Sequence, residues 1–357
     1  MLTVKENGPA ASVAALARES YRDIALYSAP RGPFSVDLSD NTNLWGAPPA
    51  ALRALAVVGE TDVTRYPVAY EPALATALAD YAGVSAGMIA CGCGSDDVLD
   101  SAIRAFAEPG EVLCLPEPSF SMIGVFARAN GLSPASIPLT RSFDVDVDAM
   151  LETRARITYL CSPNNPTGGA MPRRLVEQIV ENARGLVIID QAYVEFGGDN
   201  YIDLASSGRP VFVTRTMSKA FGLAGLRVGY GIGSPELIGE VLKARGPYKV
   251  SALGERAAIA ALESDRGWVT DHVDEAIGNR SRFRAELAKR GMAPLESSAN
   301  FVLVPVADCA AVSRRLERAG IRVRALPGLA GIGDAIRIAI GPWVMMQRCL
   351  DALAAAT

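Results

Sequence analysis

Between residues 88 and 232 short apolar runs alternate with helical patterns, and this alternation limits the possible folds more than any other feature. The runs lie at residues 88–91, 111–115, 157–161, 186–189, 211–214 and 227–232. Helical periodicity falls between many of them, at 97–106, 121–129 and 173–183. Buried runs separated by amphipathic helices predict a mainly parallel sheet covered on both faces, the α/β class. In such sheets ligands sit where loops leave the carboxyl ends of the strands. The chemistry is therefore expected in those loops.

The flanks read differently. Residues 1–30 suggest an N-terminal helix and arm, with ASVAALARE as the helical part. A short strand at 35–38, loops at 41–49 and 65–67 and an amphipathic helix at 72–82 follow. After residue 251 a long helical region runs to 289. A smaller α+β pattern then begins, with strands near 301–304, 321–324 and 335–340, a helix at 312–319 and a terminal helix from 342. The expected organisation is a large domain at 35–255 and a small one made of 1–34 and 256–357.

Composition excludes several function classes. The net charge of −4 and the lack of a Lys/Arg run offer no surface for nucleic acid. The first thirty residues lack the apolar segment of a secretory signal, and no apolar run is long enough to span a bilayer. A reducing cytoplasm is the expected location. The six cysteines have no metal-site spacing and are expected to be mostly buried thiols. No metal is expected. The single histidine, His272, lies in polar TDHVDEAI and is expected to face solvent. A histidine-based triad or multi-histidine metal centre is thereby set aside.

The densest chemistry is at 216–230, TMSKAFGLAGLRVGY. A Ser-Lys pair alone describes many surface lysines. Here an apolar strand precedes Lys219 and a Gly-rich apolar segment follows it. Partial desolvation would lower the amine's pKa and make it nucleophilic toward a cofactor aldehyde. Arg227 supplies a bidentate fork for a phosphate, and Thr216 and Ser218 add hydroxyl donors. Cys93-Gly94-Ser95-Asp96 is a turn that opens a helix, where free N–H groups bind anions. Asp96 and Asp97 suit the helix dipole but would repel a phosphate unless they point away. Asp190 ends the apolar strand LVIID, and a carboxylate there needs a partner such as a protonated ring nitrogen. Tyr193 and Asn165 could donate to a ring oxygen. NNPTG is equally suited to a plain turn.

In this order and spacing, NNPTG, DQAY and SKAFGLAGLRVGY resemble the pyridoxal-phosphate enzymes of the aspartate-aminotransferase fold (fold type I). Within them, the chain is similar to the histidinol-phosphate aminotransferase family. The resemblance spans about residues 35–341. It implies a mainly parallel seven-stranded sheet in the large domain and pyridoxal 5'-phosphate as cofactor. It makes Lys219 the lysine that bonds the cofactor and moves the proton. Asp190 would pair with the ring nitrogen, and Tyr193 and Asn165 would bind the ring hydroxyl. Gly94, Ser95, Asp96, Thr216, Ser218 and Arg227 would form the phosphate cup. Phe120 would stack on the ring. Tyr66 would reach the cofactor of a neighbouring subunit, which implies a homodimer. Arg337 would bind the carboxylate or phosphate of the substrate, with Asn43 and Trp45 in the substrate loop. The implied substrates are an amino donor and a keto acceptor of the glutamate/2-oxoglutarate kind. The sequence departs from the family's usual residues at Leu44-Trp45, Phe120, Ile123, Gln191 and Lys249. An aromatic or broad-range aminotransferase and a threonine-phosphate-type decarboxylase share the same catalytic set. A regulator of this fold would carry a DNA-binding domain, for which about thirty leading residues are too few.

Overall fold

The computed structural model describes residues 16–22, 24–26 and 32–354. The expected helix at 11–19 falls mostly outside them, and a short helix, Glu19–Arg22, follows it. Strand β1 (Val36–Asp37) comes next. A seven-stranded sheet then forms from β2 (Ile89–Cys93), β3 (Val112–Glu117), β4 (Ser133–Pro138), β5 (Ile157–Cys161), β6 (Leu186–Asp190), β7 (Val211–Thr216) and β8 (Val228–Ile232). Its order is β2-β8-β7-β6-β5-β3-β4.

Every neighbouring pair is parallel except those made by β8, which runs against both β2 and β7. The reason is the connection. Eleven residues join Thr216 to Val228, too few for a crossover helix but enough for a loop between antiparallel neighbours. The carboxyl ends of β2, β3, β5, β6 and β7 and the amino end of β8 consequently share one edge.

Side chains along the central strands alternate between two cores. Val187 and Ile189 pack into one, with Leu74, Leu78, Val176, Ile179 and Ala261. Leu186 and Ile188 pack into the other, with Val98, Leu99, Ile103, Ile123 and Val241. Helices Pro72–Ala82, Arg173–Asn182 and Ala252–Ser264 cover the first face. Helices Gly94–Phe106, Met122–Ala129 and Pro235–Arg245 cover the second. Both faces are dry, which is why these strands read as unbroken apolar runs.

Strand β4 has no such signature. Its sequence, SPASIP, carries two prolines and half-exposed side chains. Proline is tolerated because β4 is an edge strand paired only with β3. The helical region after 251 is two helices, Ala252–Ser264 and Arg266–Lys289, separated at Asp265.

The C-terminal part forms β9 (Phe301–Pro305), β10 (Ile321–Arg322), β11 (Arg324–Leu329) and β12 (Gly333–Ala339). Strands β11, β12 and β9 make an antiparallel sheet in that order, while β10 pairs in parallel with β1. Leu38 extends this lacing: its N–H donates to Arg322 O (2.8 Å) and its carbonyl accepts from Ala339 N (2.9 Å). The chain is thus steered from the small sheets onto the carboxyl edge of the large one. Among the described residues, no helix is long and apolar enough to cross a membrane.

Candidate active site

Five loops and the start of β8 meet at that edge. Lys219 follows β7. Its Nζ donates to the carbonyl of Asp40 (3.1 Å) and lies 5.8 Å from the centre of the Tyr193 ring. Burial pushes the amine's pKa down to about 8. The positive charge of Arg337 acts in the same direction, and Asp96 and Asp40 oppose it. About a tenth of the amine is therefore neutral at pH 7 and about half at pH 8, far more than an ordinary lysine offers as nucleophile and base.

Asp190 is buried at the end of β6. Its Oδ2 accepts from the phenol of Tyr159 (2.8 Å) and its Oδ1 from Ala192 N (3.1 Å). Burial raises its pKa to about 6. A carboxylate has about four acceptor positions, so capacity remains for a cationic N–H. Tyr159 was not singled out from the sequence. A tyrosine inside a strand with no exposed residue must find a partner for its hydroxyl, and that is the one signal it carried.

Tyr193 is buried, accepts from Asn41 Nδ2 (3.2 Å) and packs edge-on against Phe301 (5.2 Å between centroids). Its pKa is pushed up to about 12 by burial. Asn165 Oδ1 accepts from Arg337 (2.6 Å), and the same guanidinium donates to Ser39 O (2.8 Å). Asn164, beside it, builds the turn: it bonds Ser119, Pro118 O and Thr167. Lys219, Tyr193, Asn41, Asn165 and Arg337 thus form one cluster over Asp190.

The corner expected to take a phosphate is equally compact. Gly94 has φ +78 and donates its N–H to Arg227 O (3.0 Å). A Cβ there would run into the Arg227 guanidinium, and one on Gly229 would strike the backbone of Gly94 and Ser95. Arg227 itself has φ +54 and lies just before β8, which starts one residue later than expected. Thr216 and Ser218 are buried, the Thr216 hydroxyl accepting from Ser218 N (3.1 Å). Asp96 stands 3.5 Å from Arg227 and its pKa is raised, first by burial. Asp97 points back, its Oδ2 accepting from Cys93 N (3.0 Å) and its Oδ1 pairing with Lys249 (2.9 Å). Repulsion of an anion by these two carboxylates is thereby reduced.

Other candidates lie further out. Phe120 is half-buried against the second core, one residue from Ser119. Asn43 has both ends of its amide engaged, Nδ2 to Ala220 O (2.9 Å) and Oδ1 to Trp45 N (2.9 Å). It anchors the 41–46 loop beside Lys219. Trp45 packs on the first core and lies edge-on to His272 at 6.0 Å. His272 does not face solvent as expected: it is half-buried between Trp45 and Trp268 (4.2 Å). Residues four apart on a helix share a face, so Trp268 and His272 meet, and the 41–46 loop brings Trp45 over them. Gln191 is a buried support that accepts from Arg215 (3.0 Å) and donates to Asp199 O (2.7 Å). Tyr66 is 83% exposed and stacks on Tyr248 (5.0 Å), on a loop apart from Lys219 in this chain. Five cysteines are buried, and Cys93 is exposed just before Gly94.

The arrangement fits pyridoxal phosphate: a buried carboxylate for the ring nitrogen, an amine with a lowered pKa, and a tight corner of backbone N–H groups, hydroxyls and a guanidinium for the phosphate. The sequence profile of the family described as aminotransferase class I and II matches residues 35–353. A histidinol-phosphate aminotransferase from Erythrobacter litoralis is 36% identical over 344 residues, covering 91% of this chain and 92% of the relative. One from Roseobacter denitrificans is 36% identical over 357 residues, covering 95% and 97%. Among solved structures, the histidinol-phosphate aminotransferase from Sinorhizobium meliloti in complex with pyridoxal-5'-phosphate superposes with a TM-score of 0.83 at 26% identity, covering 94% of this chain and 96% of that one. The chain belongs to the class I and II aminotransferase family.

Proposed function

We propose that the protein is a pyridoxal-phosphate-dependent aminotransferase acting on histidinol phosphate, with 2-oxoglutarate as the keto acceptor. The observation that carries the reaction type is Lys219, an amine with its pKa lowered to about 8 beside Tyr193. When bound, the cofactor supplies the electron sink for the bond broken at the substrate's α-carbon. Lys219 Nζ would take the proton from that carbon and deliver it to the cofactor's aldehyde-derived carbon, and would carry it the opposite way when the keto acceptor is aminated. The Asp190 carboxylate stays ionised opposite a cationic ring nitrogen. Tyr193 and Asn165 would orient the ring through its hydroxyl, and Phe120 would pack against it. Ser95, Thr216, Ser218 and Arg227 would hold the phosphate, Gly94 would leave room for it beside the Arg227 guanidinium, and Asp96 would be the counter-charge of Arg227.

Substrate choice rests on Arg337 and on a residue that no motif had marked. Arg324 on β11 is the cross-strand partner of Arg337 on β12. Directly opposed side chains share a face of the sheet, so Arg324 stands beside Arg337 on one face. That pair suits a site that alternates between a dicarboxylate and a phosphate monoester. The relatives named above support the same substrate. The reading carries with it a cytoplasmic homodimer in which the exposed Tyr66 is covered by a second copy.

Two measurements test this reading. In a panel of histidinol phosphate, phenylalanine, tyrosine and leucine with 2-oxoglutarate, histidinol phosphate should give the highest kcat/KM. A preference for phenylalanine would reject the substrate and leave the family intact. The second is pH dependence. The neutral amine is the nucleophile, so cofactor-free protein should take up pyridoxal phosphate at a rate that rises through pH about 8 and then levels. A rise still continuing near pH 10.5, the ordinary lysine range, would show that Lys219 is not desolvated as described.

A further inference from the structure

We propose that Lys249 is a positioning residue that makes the cofactor corner selective for a phosphate by holding Asp97 away from it. The inference rests on the pyridoxal-phosphate reading and concerns residues that this reading leaves without a role. The helix Gly94–Phe106 starts Gly-Ser-Asp-Asp, with two carboxylates in the turn that must accept a dianion. Asp96 is answered by Arg227 at 3.5 Å. Asp97 is answered by Lys249 at 2.9 Å, and its other oxygen caps Cys93 N at 3.0 Å. The Asp97 side chain is only 13% exposed, so water does little to screen it. Without Lys249, a largely buried negative charge would stand next to the phosphate position.

Lys249 is held from behind. The next residue, Val250, is buried and its N–H donates to Glu71 Oε1 (3.5 Å). Glu71 in turn forms an ion pair with Arg245 (2.7 Å) in which neither side chain is exposed. Tyr248, on the other side, has φ +59 and stacks on Tyr66. The segment between Arg245 and Val250 is thus pinned at both ends, and Lys249 is presented to Asp97 from a fixed backbone.

The test compares pyridoxal phosphate with pyridoxal, which lacks the phosphate. Each is titrated into the cofactor-free full chain and followed by absorbance. Lys249→Met should weaken pyridoxal phosphate about tenfold, the scale of one unscreened charge acting on another, and leave pyridoxal within about twofold. The double variant Lys249→Met/Asp97→Asn should restore the affinity for pyridoxal phosphate. Equal weakening of both compounds, or no restoration in the double variant, overturns the inference, since either outcome describes a structural role. If Lys249→Met does not fold, Asp97→Asn decides: binding of pyridoxal phosphate as tight as wild type or tighter supports the inference, and weaker binding overturns it. A wild-type chain that takes up neither compound removes the cofactor reading, and this inference with it.

Discussion

Replacing Lys219 by alanine is expected to lower transamination by at least about 10³-fold while leaving the chain folded. A positioned general base contributes about 10²–10⁴-fold, and on the proposed reading the same amine would also bond the cofactor, so the two losses would fall together. No other lysine in the described site can substitute, because Lys249 is committed to Asp97. Stability should move the other way. In the cofactor-free protein the amine has a folded pKa of about 8 against an ordinary 10.5. The unfolded chain therefore binds its proton more tightly, and the charged amine weakens the fold at every pH below about 8. This cost fades as pH rises toward 10.5. At pH 7, Lys219→Ala should accordingly melt no lower than cofactor-free wild type. Stopped-flow turnover and a thermal melt measure the two effects. Undiminished turnover would take Lys219 out of its role, and a large drop in melting temperature would show that the lost activity reflects a damaged fold.

The second large effect is on stability. Glu71→Gln should cost about 3–5 kcal/mol, because removing one partner of a buried ion pair leaves the other charge uncompensated. The glutamine keeps the shape of the side chain and the strained backbone at φ +46, so only the charge changes. Arg245 has little other support. Its guanidinium lies 5.6 Å from the Tyr70 ring, and its Nε and Nη1 have no hydrogen-bond partner. Glu71→Gln/Arg245→Met should recover most of the loss, since apolar replacements of buried pairs are often neutral or better. Urea unfolding of the three variants gives the comparison. A cost below about 1 kcal/mol for the single change would mean that water reaches Arg245 and screens it.

The sheet, and the residues it brings together at its carboxyl edge, were legible because each signal is local. The apolar runs mark strands buried on both faces, and Lys219, Asp190 and Asn165 stand in short motifs at strand ends. What was not legible depends on pairings far apart in sequence. Strand β4 is recognisable only once β3 offers it an edge. Arg324 gains significance from its register with Arg337. Tyr159 is one more apolar-looking residue until β6 brings Asp190 beside it. Lys249 and Asp97 are 152 residues apart, and no spacing rule joins them. His272 was misread because its polar neighbours along the chain are not its neighbours in space, which are two indoles.

The reversed strand β8 has a consequence for the order in which the site takes shape. Closing the short segment from Thr216 to Val228 costs little chain entropy. Lys219 and Arg227 therefore come into register as soon as β7 and β8 pair. Asn165 and Arg337 are 172 residues apart and meet only when the C-terminal sheet docks. Short-range pairing thus joins Lys219 to Arg227, whereas the Gly94 turn reaches Arg227, and Asp40 reaches Lys219, only through contacts distant in sequence. On the proposed reading, changes around Arg324 and Arg337 would alter the choice of amine without disturbing the β7–β8 pairing that carries Lys219, although loss of the Arg337 charge would let the amine's pKa rise.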